Sequence, residues 1–67
     1  MPRLTKKERA QVLRAVDCGW YMDVDIFRDY ISRLPSYLKD LAWDCLTVLE
    51  DEPWRNFGDV LNEVLDY

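Results

Sequence analysis

The sequence predicts an all-α fold, a small bundle of three to four short helices with no β-sheet. Three observations carry that expectation. Leu38, Leu41, Ala42, Cys45, Val48 and Leu49 recur at spacings of three and four, the period of a helix that buries one stripe. Shorter segments on either side repeat the same spacing, and no run alternates apolar and polar residues as a half-buried strand does. Helix breakers and capping residues fall between these segments, as in Leu34-Pro35, Glu52-Pro53 and Asn56.

Taken in order, the first helix covers about residues 6–18. Thr5 followed three residues later by Glu8 is a capping box, and Gly19 is expected to be its left-handed stop. Its inner edge is Val12, Leu13 and Val16, continued by Trp20. Because Arg9 sits one turn before Leu13 on the same side, the first turns are expected to project past the core. The second helix, about residues 24–34, takes Asp23 or Asp25 as its cap and carries Val24, Phe27, Tyr30, Ile31 and Leu34 along one side. Pro35 ends it, because the residue before a proline leaves the helical region.

Ser36 is expected to cap the third helix, about residues 37–51, around which the others should arrange themselves. The short connection makes the second and third helices close neighbours. Trp43 falls outside the apolar stripe of this helix, on the side of Asp40, Thr47 and Glu50. The last helix, about residues 57–65, is announced by Asn56 and Asp59 and turns Phe57, Val60, Leu61, Val64 and Leu65 inward.

With 67 residues the chain makes a single helical domain, 1–67, whose core only marginally offsets the entropy of ordering it. The start, Met1 to Lys7, lacks the apolar segment of an export signal, so a cytoplasmic chain with reduced thiols is expected. Cys45 lies in the apolar stripe and reads as core. No histidine and no paired Cys-x-x-Cys point to a metal, and no apolar run is long enough for a membrane. Without histidine, a glycine-rich loop or more than a few hydroxyls, neither catalysis nor a cofactor is expected.

Net charge is −4, divided unevenly. Residues 1–35 carry seven basic and five acidic side chains, whereas residues 36–67 carry two and eight. Three Trp, four Tyr and two Phe are more aromatic surface than so small a core encloses, and Trp, Tyr and Arg are the types enriched at binding hot spots. The chain therefore reads as a protein-binding module, an inhibitor or adaptor of the size that phages and mobile elements carry, acting as a homodimer on a cellular or host protein.

The residues expected to meet a partner are Trp43, Trp20, Tyr21 and Trp54, with Arg3, Lys7 and Arg14 steering an acidic surface. Asp40, Asp44, Asp51, Asp59 and Glu63 form the expected acidic face. Two other readings are weighed. The acidic face imitates nucleic acid and blocks a DNA-binding protein, or a dimer presents Lys6, Lys7, Arg9 and Arg14 of the first helix to DNA. The acidic second half opposes this last reading, so nucleic acid is not the expected partner.

Overall fold

The computed structural model describes residues 4–21 and 24–65. Four helices form, α1 (Lys6–Trp20), α2 (Val24–Ser32), α3 (Ser36–Asp51) and α4 (Phe57–Leu65), with no strand among the described residues. The all-α bundle is the one the sequence predicts.

The helix starts are local chemistry. At α1, the Thr5 hydroxyl accepts from the Glu8 amide (3.1 Å) while the Glu8 carboxylate accepts from the Thr5 amide (3.0 Å), so two free donors are satisfied reciprocally. At α4, Asn56 Oδ1 accepts from the amides of Gly58 (2.8 Å) and Asp59 (3.3 Å). An Ala there costs about 1 kcal/mol in a typical helix.

Two other expected ends differ. Ser36 is not the cap of α3 but its first helical residue. Pro35 holds the cap position with φ −58° and ψ 154°, and its carbonyl takes the amides of Leu38 (3.0 Å) and Lys39 (3.1 Å). The fixed proline φ pre-sets the backbone at this end, and no side chain caps it. Asp25 sits inside the first turn of α2, while Asp23, the other candidate cap, lies outside the described residues.

Gly19 is not a left-handed stop. It is helical, and α1 continues to Trp20 before ending at Tyr21. Its bare Cα is a point of close approach: a Cβ there would stand 2.9 Å from Leu46 Cδ1 and 3.0 Å from the Phe27 ring. At this position α1 is thin enough for α2 and α3 to close on it together.

The core is built from Val12, Ala15 and Val16 of α1, Phe27 of α2, Leu34, then Leu38, Ala42, Cys45 and Leu49 of α3, and Val60 and Leu61 of α4. The most extensive helix pairing is α1 with α3, and α1 packs on all three others. The first helix therefore shares the organising role expected of the third, because small side chains on its inner edge let three helices reach it. Ala15, fully buried, belongs to that edge and was not predicted there.

Helix directions follow from contacts at the ends. Tyr37 near the start of α3 donates to Glu8 near the start of α1, while Gly19 and Trp20 border the same cleft as Leu46 and Glu50. Thus α1 and α3 run parallel. Arg14 stacks over Tyr30 near the end of α2, and Gly19 adjoins Val24 at its start, so α2 runs antiparallel to both. Although the connection is short, α2 lies chiefly on α1 and meets α3 through the rings of Phe27 and Trp43.

In the first turns of α1, Lys6 and Lys7 are exposed while the other side is tied to the bundle. Leu4 packs on the core cluster, and the Arg9 guanidinium donates to Asn62 Oδ1 (2.7 Å) and to the Gly58 carbonyl (3.3 Å) on α4. An arginine on an apolar edge lays its stem along that edge and carries the charge to acceptors beyond it.

Candidate functional site

Trp43 leaves the apolar stripe of α3 by its position on the helix, and the structure leaves it 54% exposed. Its ring stands edge-on to buried Phe27, with centroids 5.1 Å apart and planes at 90°. This T-shaped contact fixes the indole in place and contributes about 1 kcal/mol beyond burial. One flank of the ring rests on its own chain and the other is open.

Two adjoining clefts border it. One, of about 420 Å3, is lined by Gly19, Trp20, Trp43, Leu46, Thr47 and Glu50. The other, of about 330 Å3, shares Gly19, Trp43 and Leu46 and is completed by Val24, Phe27, Arg28 and Ile31. They are two halves of one apolar groove between α1, α2 and α3, with Trp43 standing between them and Gly19 on their shared lining. Val24 is itself half exposed, so the groove continues onto the surface of α2.

The groove has an electrical direction. Arg28 lies at the α2 end and Glu50 at the other. Because α1 and α3 are parallel, the negative ends of both helix dipoles fall on the Glu50 side, and neither helix carries a basic residue in its last turn.

The predicted partner residues separate in space. Trp20 reaches the groove but packs its ring edge against Phe57, at 6.3 Å between centroids. Tyr21, at the end of α1, is 71% exposed and Trp54, in the turn before α4, is 77% exposed; neither lines the groove. Arg3 lies outside the described residues. Lys7 is exposed, whereas the Arg14 guanidinium sits 5.7 Å from the centre of the Tyr30 ring. Of the four basic residues that a DNA-binding first helix would use, Arg9 and Arg14 are thus already engaged within the chain.

The acidic residues divide in the same way. Asp40, Asp44 and Asp51 are exposed on α3 and form no ion pair with a described residue. Asp59 is exposed on α4, but Glu63 is held by Arg55, which also reaches Glu52 at 3.4 Å. The hydrogen bond from Arg55 lowers the Glu63 carboxyl from its ordinary range, so this residue is not the ordinary solvated carboxylate its outward position predicts. Among the described residues no group of acidic and cysteine side chains is placed to hold a metal ion, and no helix is long and apolar enough to cross a membrane.

Sequence reasoning named Trp43 and Trp20 but missed the groove. Gly19 was the available signal. Ala15 and Gly19 lie one turn apart, and a small pair at that spacing marks a face where another helix comes close.

Protonation bears on the frame around the groove. Burial, with a smaller effect of Asp44, pushes the Cys45 thiol from an ordinary 9.0 up to about 11. The fold holds this thiol neutral while the unfolded chain ionises it, so its contribution is complete below about pH 9 and is lost as pH rises toward 11. The expected loss is about 3 kcal/mol. Tyr37, raised by donating to Glu8, adds to the same alkaline decline.

Glu8 and Glu63 are lowered, by the Thr5 amide and by Arg55 respectively, so their contribution stands above the ordinary carboxylate range and is lost as acid protonates them. With no histidine between these limits, urea unfolding is expected to give a plateau near neutrality and a fall above about pH 9. In Cys45→Ala, weaker throughout, the early part of that fall should disappear. An equally steep fall would place its origin elsewhere.

No family model, no curated protein and no solved structure matches this chain.

Proposed function

We propose that the chain is a protein-binding module, an inhibitor or adaptor that works as a homodimer, with exposed aromatic surface for one protein contact and another face for its target. One observation carries the reading: Trp43, more than half exposed, stands in an apolar groove that its own chain shapes but does not fill. A tryptophan with one flank braced and the other open is the arrangement of an interface anchor, which gains binding energy with little further loss of conformational freedom. The carboxylates of Asp40, Asp44 and Asp51, which form no ion pair with a described residue, run along the same helix, where they would steer a basic target surface and reject an acidic one.

The test is a selection of displayed peptides against the immobilised full chain, held dilute enough to be monomeric. The reading expects ligands with apolar anchors at helical spacing, which lose about tenfold or more in affinity for Trp43→Ala. Ligands that bind wild type and folded Trp43→Ala equally would contradict it.

A further inference from the structure

We infer that the Trp43 groove is covered by a second copy of this chain, in an isologous dimer whose two-fold axis crosses the groove beside Trp43, between Arg28 and Glu50. This rests on the reading of the groove as a protein-binding surface and names its occupant.

A two-fold dimer needs a patch that is complementary to itself after rotation. The groove meets that condition in shape and in charge. In shape, it carries one projecting ring, Trp43, with a cleft on either side, so the ring of each copy has a hollow of the other to enter. In charge, its two ends are opposite. Arg28 stands at one end and Glu50 at the other, and rotation about an axis between them places each against the other in the partner copy. Neither residue forms an ion pair with a described residue of its own chain.

The Glu50 end has a further reason to take a guanidinium. The carbonyl ends of two parallel helices lie on that side without a basic residue in either last turn, and a cation placed there is favoured by both dipoles. The partner's Arg28 supplies it twice over in the symmetric pair. A chain of 67 residues, with eleven buried core side chains among those described, also gains most from hiding further apolar surface.

Sedimentation of the full chain, from micromolar to millimolar concentration, tests this. Wild type is expected to be a monomer–dimer equilibrium that salt weakens. Arg28→Glu and Glu50→Arg, both at exposed positions, should each remain helical by circular dichroism and weaken association by about tenfold or more, since each homodimer then faces like charges at both ends. An equimolar mixture of the two should restore dimers, and so should the chain carrying both changes.

A wild type that stays monomeric throughout would overturn the inference, and so would dimers insensitive to both variants or a mixture that fails to recover. If wild type is monomeric while selected peptides still depend on Trp43, a foreign helix is the occupant and the protein-binding reading stands. If neither a second copy nor a peptide depends on Trp43, both fall together.

Discussion

Leu49→Ala is expected to leave little folded protein at room temperature. Leu49 is fully buried in the single core cluster to which all four helices contribute, and truncating such a leucine costs about 2 to 5 kcal/mol through lost transfer energy and the cavity left behind. A single core of this size supplies a net stability of only about 3 to 5 kcal/mol, so the two quantities are comparable. Circular dichroism with a urea titration should show a transition displaced to very low urea or lost. Leu49→Met, which nearly conserves volume, should cost less than about 1.5 kcal/mol. An Ala variant that loses less than about 1 kcal/mol would mean that the core is not centred where these helices place it.

Trp43→Ala is expected to separate stability from association. The substitution removes an edge contact with Phe27 and uncovers part of that ring, for a stability cost near 1 kcal/mol. Its effect on binding should exceed about 2 kcal/mol, or roughly thirtyfold, the scale of a central aromatic anchor. Phe27→Ala provides the contrast. Phe27 is 6% exposed, so its truncation should cost about 3 to 5 kcal/mol and abolish folding and association together. Urea unfolding and sedimentation on the same samples give both numbers. A Trp43→Ala chain that unfolds as readily as Phe27→Ala would make Trp43 a core residue, with no binding role required.

The fold was legible because its determinants are local. The reciprocal bonds of Thr5 and Glu8, the Asn56 cap and the stripe of Leu38, Ala42, Cys45 and Leu49 each lie within one or two turns, and the helices appear where these residues place them. What sequence periodicity misread depends on partners distant in the chain. Arg9 on an apolar edge suggests solvent unless Asn62 and the Gly58 carbonyl are known to lie opposite. Glu63 on an outward face suggests solvation unless Arg55 is known to reach it.

Gly19 is the clearest case. A glycine near the end of a helix has two uses, a left-handed turn and a close crossing, and only the positions of Leu46 and Phe27 distinguish them. The candidate site was legible to the same degree. Trp43 stood out because it breaks the stripe of its own helix, whereas the walls around it come from three helices that only the tertiary fold assembles. Composition predicted surplus aromatic surface, and Trp43 and Trp54 remain more than half exposed. It did not predict which of them would stand in a groove.

The most direct measurement reads Trp43 alone. In a chain with Trp20→Phe and Trp54→Phe, the emission maximum and acrylamide quenching of the remaining indole are followed as protein concentration rises. The account predicts red-shifted, readily quenched emission in dilute solution, moving to blue-shifted, protected emission as a second copy covers the groove. Blue-shifted and protected emission already at the lowest concentration would show that the chain encloses Trp43 by itself and would contradict the account.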